Sequence, residues 1–167
     1  MTLTDLNAAD RDRFVAAVGW VFEHSPWVAE RAWDRRPFAS LDALHTTMVI
    51  VMNEANAEAQ LALLRAHPDL GARAKMSEAS TGEQAGAGLD TLTPAEFERL
   101  QRLNREYRDR FGFPFLFAVK GATRHDIIAA LERRLVAGHD DEFAEALRQV
   151  ARIARFRLES LFVAADL

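Results

Sequence analysis

The sequence predicts an all-α fold: a single-domain helical bundle of about six to eight helices, with a glycine-rich irregular insert in the middle. Two observations carry this. Apolar residues recur at steps of three and four along most of the 167 residues. The segments so marked open on capping residues and close on glycine or proline. Strand signals are poor. Phe113 to Val119 is apolar and could run extended, but Pro114 weakens it as a strand.

The elements follow in order. Asn7 is placed to cap a first helix whose apolar face carries Phe14, Val15, Val18 and Val21 or Phe22, and Pro26 interrupts it. Pro37 and Ser40 mark a second start, followed by Leu41, Leu44, Met48, Val51 and Met52. A third helix runs from about Ala57 through Leu61 and Leu64 to Ala66. It must stop at His67, because Pro68 disfavours helical geometry in the residue before it. From Asp69 to Leu92 the period is lost, and this stretch holds Gly71, Gly82, Gly86 and Gly88, half of the chain's 8 glycines.

Thr93-Pro94-Ala95-Glu96 restarts a helix, with a capping threonine, proline at the first helical position and glutamate three residues past the cap. Its buried side is Phe97, Leu100, Leu103 or Asn104, and Tyr107; Gly112 and Pro114 end it. Thr123 and Asp126 open the next, with Ile127, Ile128, Leu131 and Leu135, closed by Gly138. The last runs from near Asp140 with Phe143, Leu147, Val150, Ile153 or Ala154, Leu158 and Leu161. No internal repeat, low-complexity tract or linker divides the chain, so residues 1–167 read as one domain.

Composition narrows the function. Lys plus Arg is 21 and Asp plus Glu is 25, a net charge of −4, and apolar residues make up 49 %. That is enough apolar material for a core, and the balance argues against a nucleic-acid binder with a basic face. With no cysteine, a disulfide scaffold, a thiolate zinc site, an iron–sulfur cluster and a cysteine nucleophile are excluded. The longest apolar run, Met48-Val49-Ile50-Val51-Met52, falls far short of the roughly 18 residues of a membrane span. Met1-Thr2-Leu3-Thr4-Asp5 does not read as a signal peptide, and Ala165-Asp166-Leu167 is not a peroxisomal signal. The expectation is a cytoplasmic protein.

There is no GxGxxG, P-loop, HExxH or serine nucleophile elbow. No two of the five histidines, His24, His45, His67, His125 and His139, stand four apart on one helix, so no metal site is expected. Three stretches and one arginine of the last helix could carry chemistry. His67 sits at a helix exit before Pro68, where the helix C-terminus favours a protonated ring and a ligand could reach it; a capping or surface histidine is the other reading. Ser80-Thr81-Gly82-Glu83-Gln84 has the form of a capping box. It could equally offer free N–H groups to an anion, with Glu83 as acid or base and Gln84 bonding amide edges. Phe111-Gly112-Phe113-Pro114-Phe115 is either core or a pocket wall that lays backbone groups and rings along a flat ligand. Arg157, on or beside the apolar face of the last helix, needs a carboxylate of the protein or of a ligand if buried.

Taken together, His67-Pro68-Asp69-Leu70, Ser80-x-x-Glu83-Gln84 with Ala87-Gly88-Leu89, Asn104-x-x-Tyr107, Phe111-Gly112-Phe113-Pro114-Phe115, Glu142 and Ile153-Ala154-x-x-Arg157-Leu158 resemble one family. It is 2-oxo-4-hydroxy-4-carboxy-5-ureidoimidazoline (OHCU) decarboxylase, which acts last on the route from urate to (S)-allantoin. The early Ser25-Pro26-Trp27 and Arg36-Pro37-Phe38 elements also match, so the resemblance covers nearly the whole chain.

The resemblance implies an all-helical, cofactor-free decarboxylase that forms homodimers and uses no metal. It implies that His67 is catalytic together with Glu83. It implies substrate contacts from Pro68, Ser80, Gln84, the backbone of Phe115, Leu116, Phe117, Ala118 and Val119, and Arg157. The absent peroxisomal signal departs from eukaryotic members and suggests a bacterial type. Two rival expectations stand beside this: a non-catalytic helical interaction module, and a related ureide or purine-ring hydrolase.

Overall fold

The computed structural model describes residues 1–72 and 76–163. The last residues of the chain, on which the reading of the C-terminus rests, lie outside the described residues. Among the described residues the fold is all-α, with no strand. In chain order the elements are α1 (Leu3–Ala8), α2 (Arg11–Val18), a 3-10 turn (Gly19–Val21), α3 (Trp27–Trp33), α4 (Leu41–Glu54), α5 (Ala57–Arg65), α6 (Glu78–Gly86), α7 (Pro94–Phe111), α8 (Arg124–Arg134) and α9 (His139–Val163). Among the described residues that is nine helices where about six to eight were expected. The expected first helix is α2 with the 3-10 turn, and α1, α3 and α6 come in addition; α6 carries no large apolar residue to show a period. No described helix is long and apolar enough to cross a membrane.

The chain forms two compact units, 1–66 with the described part of 151–167, and 67–150. In the first unit Thr2 caps α1 and Asp10 caps α2. Asn7 is not a cap. It lies inside α1, and its side-chain amide clamps Phe38, accepting from the Phe38 N–H at 2.8 Å and donating to the Phe38 carbonyl at 2.9 Å. Ser40 and Asn56 cap α4 and α5 through the N–H groups of Ala43 and Ala59. Phe14, Val18, Val28, Leu44, Met48, Leu64, Ala154 and Leu158 are fully buried and form the core. His45 Nε2 lies 2.8 Å from the Ala151 carbonyl, and Arg155 pairs with Asp42.

The second unit is organised by α7. Thr93 and Glu96 form the expected capping box, and the helix ends at Gly112, whose φ of 81° permits the left-handed exit. Leu100, Leu103, Asn104, Tyr107 and Phe111 are buried, whereas Phe97 is half-buried. The Tyr107 ring lies 4.6 Å from Phe111 and 5.4 Å from Phe115, so the aromatic segment does build core. Thr123 and Asp126 cap α8, which ends at Arg134 with Leu135 as its C-terminal cap, short of Gly138.

The glycine-rich stretch is not irregular throughout. Gly82 and Gly86 fall within α6, while Gly71 and Gly88 adopt left-handed φ values of 73° and 78°. Residues 73–75 of that stretch lie outside the described residues.

Candidate active site

The exit of α5 positions the first candidate. Pro68 denies His67 a helical conformation, and the Ala66 N–H closes the last turn on the carbonyls of Ala62, Leu63 and Leu64. His67 is 6 % exposed, so it is no surface cap; Pro68 is half-buried. Three side chains of the same unit hold the loop that follows. Asn104 Nδ2 donates to the Leu70 carbonyl at 2.9 Å. Arg108 donates to Asp69 at 2.7 Å. Gln84 Oε1 accepts from the Gly71 N–H at 2.8 Å. A Cβ on Gly71 would meet Leu100 Cδ2 at 2.6 Å, so the end of that side chain would have to shift, and the φ of 73° is one that residues with a side chain rarely adopt.

The second candidate requires a correction. The cap of α6 is Ser77, whose hydroxyl accepts from the Ser80 N–H at 3.2 Å. Ser80 and Glu83 are therefore inside the helix and do not form a capping box. Three residues past the real cap stands Ser80, which has no carboxylate to return the bond. Ser80 and Gln84 are both buried and, four apart, share one helix face. Since Gln84 bonds Gly71, that face meets the loop that begins at His67. The half-buried Glu83 lies beside it. The Gly71–Gln84 bond thus joins the loop that follows His67 and Pro68 to the helix that carries Ser80 and Glu83. Gln84 is engaged within the protein, its amide nitrogen lying 3.2 Å from Met76 Sδ.

The third candidate runs through the same unit without a strand partner. Phe115, Leu116, Ala118 and Val119 are buried, and Phe117 is half-buried. Arg134 Nη1 donates to the Leu116 carbonyl at 2.6 Å, and the Ala118 N–H donates to Gln149 Oε1 at 2.9 Å. The Arg134 guanidinium is bound by Glu142 and lies 4.6 Å from the centre of the Phe115 ring. Glu142 Oε1 also accepts from the Tyr107 hydroxyl at 2.5 Å. Burial, followed by that bond to Glu142, pushes the Tyr107 hydroxyl pKa well above its ordinary value. Sequence reasoning missed Arg134 and Gln149. The available signal was a polar residue on a buried helical face: Arg134 follows Leu131 by three, and Gln149 follows Glu142 by two turns.

Arg157 belongs to the first unit. It is 4 % exposed and donates to Glu23 at 2.8 Å and to the carbonyls of Trp20 and Val21 at 3.3 Å. Its partner is thus a carboxylate of the protein. No local signal could have found Glu23, which stands 134 positions away. Among the described residues no group of three or more His, Asp or Glu is placed to hold a metal ion.

The family model described as OHCU decarboxylase matches residues 7–159. A 2-oxo-4-hydroxy-4-carboxy-5-ureidoimidazoline decarboxylase of Halalkalicoccus jeotgali is 51 % identical over 99 % of this chain and 94 % of its own length. That of Haloferax volcanii is 51 % identical over 97 % and 96 %. A crystal structure of (S)-allantoin synthase is similar with a TM-score of 0.80 and 34 % identity over 96 % of this chain, which spans 54 % of that longer one. A crystal structure of OHCU decarboxylase in the presence of (S)-allantoin has the same fold, at a TM-score of 0.71 and 23 % identity over 93 % and 99 % of the two chains. With the family model matching residues 7–159 and two relatives 51 % identical over more than nine-tenths of both chains, this chain belongs to the OHCU decarboxylase family.

Proposed function

We propose that this protein is a cofactor-independent carboxy-lyase that converts OHCU to (S)-allantoin and CO2 in urate degradation. The observation that carries the reading is the full-length match, at 51 % identity, to relatives named for that reaction. The whole of residues 1–167 acts as one decarboxylase domain, and two copies form a homodimer, as the family resemblance implies. The absence of cysteine suits the reducing cytoplasm.

The chemistry asks little of the protein beyond placement. The substrate carries its carboxylate on the hydroxyl-bearing ring carbon, next to the ureido-bearing carbon of the ring C=N bond. Breaking the bond to the carboxylate releases CO2 and sends the electron pair toward that C=N, whose nitrogen takes a proton, leaving an enol. The enol hydroxyl gives up its proton as its oxygen becomes the ring carbonyl, and a proton delivered to one face of the ureido-bearing carbon completes (S)-allantoin. His67 is assigned as the acid/base, since imidazole changes charge near neutrality. Its burial at a braced helix exit supports this, because a ring held in one place delivers a proton to one face. Glu83 orients His67 or manages the substrate hydroxyl proton. Ser80 and Gln84, with Pro68 beside them, contact the ligand from the same loop and helix. The backbone of Phe115 to Val119 suits ureido and ring amide edges. Arg157 joins this set on the resemblance alone.

Circular dichroism of the product formed from freshly generated OHCU tests the reading. The enzyme yields one allantoin enantiomer, and His67→Ala slows turnover by about 10²–10⁴. Racemic product at the spontaneous rate would overturn the proposal in favour of a non-catalytic module. Ring opening without CO2 would point to a hydrolase.

A further inference from the structure

We propose that Gln149, together with Arg134, is a positioning residue that sets the conformation of the Phe115–Val119 backbone. The inference rests on the reading above that this segment contacts the substrate. It begins from a requirement. A buried segment outside any helix or sheet must find partners for its backbone polar groups elsewhere. Here two of those groups are met by side chains, the Leu116 carbonyl by Arg134 and the Ala118 N–H by Gln149. The two bonds clasp the chain on either side of Phe117, the segment's half-buried residue.

Each anchor is itself held in one orientation. An amide side chain can present its oxygen or its nitrogen to a neighbour. One turn before Gln149, Glu145 takes the Gln149 amide nitrogen at 2.8 Å. A carboxylate only accepts, so the Gln149 oxygen must face the Ala118 N–H. Burial works against an ionised Glu145, yet the bonds from Gln149 and Arg148 hold its carboxyl below the ordinary range. Arg134 is fixed in the same manner by Glu142, which Tyr107 holds in turn. A glutamine only 6 % exposed costs desolvation that a leucine would avoid. Its place is explained by the one N–H it receives.

The test uses the full chain and measures kcat and KM on OHCU together with hydrogen exchange at the Ala118 amide. Gln149→Leu keeps the volume and removes the acceptor. It should raise KM about tenfold, more than it lowers kcat, and speed Ala118 exchange by a similar factor. The exchanged pair Gln149→Glu with Glu145→Gln restores the circuit at the same net charge. Glu at 149 accepts from both the Ala118 N–H and the new amide, so KM and exchange return toward wild type. Gln149→Glu alone sets two carboxylates one turn apart and should raise KM; this comparison decides the matter if Gln149→Leu does not fold. An unchanged KM in a folded Gln149→Leu protein, or an exchanged pair no better than the single Gln149→Glu, overturns the inference alone. Absence of turnover by the wild-type chain overturns the functional reading and this inference with it.

Discussion

Raising the pH against a single tyrosine probes the network that holds the Phe115–Val119 segment. The chain contains 1 tyrosine, so any phenolate signal belongs to Tyr107. Tyr107 is 0 % exposed, and its hydroxyl donates to Glu142. Burial, and then the adjacent carboxylate, raise its pKa well above the ordinary 10.0. The folded protein therefore keeps this proton where the unfolded chain releases it. The sign follows from linkage: the contribution is intact below about pH 10 and is lost as pH rises beyond it, at about 1.4 kcal/mol per pH unit. By about pH 11.5 the loss reaches about 2 kcal/mol.

Tyr107→Phe removes this slope. At neutral pH it costs about 1–2 kcal/mol for the lost hydrogen bond, because Arg134 still covers Glu142. Denaturant unfolding at stepped pH should therefore show wild type losing its advantage over Tyr107→Phe as the solution becomes alkaline. The ultraviolet phenolate band should appear only as the protein unfolds. A phenolate band rising near pH 10 while the helical circular dichroism is intact would refute the argument. So would a stability gap between wild type and variant that stays constant across that range.

Other outcomes follow from the same geometry. Ser77→Ala should lower stability by about 1 kcal/mol and leave kcat unchanged, since Ser77 is the cap of α6; an unmoved denaturation midpoint would place the cap elsewhere. Glu83→Gln should fold as wild type does and lose about 10²-fold or more in kcat, because its carboxylate serves no capping box; a stable, fully active variant would make Glu83 structural. Gly71→Ala should cost about 1–2 kcal/mol for the left-handed φ of 73° alone, before Leu100 gives way to the new Cβ. An unchanged midpoint in urea would show that the loop relaxes freely.

The sequence by itself determined the elements whose causes are local. The threonine caps of α7 and α8, the stop imposed by Pro68 on α5 and the left-handed exit at Gly112 each depend on residues within one turn. A helix end is decided by which neighbour satisfies its free backbone groups, and these neighbours can be read in order. The family pattern placed His67 and the Ser80–Gln84 stretch in the same way, as motifs in sequence.

Tertiary structure decided what local chemistry left degenerate. Ser77 and Ser80 are both competent caps. Starting at Ser77 puts Ser80 and Gln84 on the buried face, where Gln84 receives the Gly71 N–H. Asn7 could cap, but Phe38, 31 positions on, presents both an N–H and a carbonyl to its amide. The partners of other buried groups are as distant or more so: Gln149 stands 31 positions from Ala118 in the second unit, and Glu23 stands 134 from Arg157 in the first. A buried polar group must be satisfied by something. The sequence shows that the need exists, but only the packing of helices brings the partner within hydrogen-bond reach.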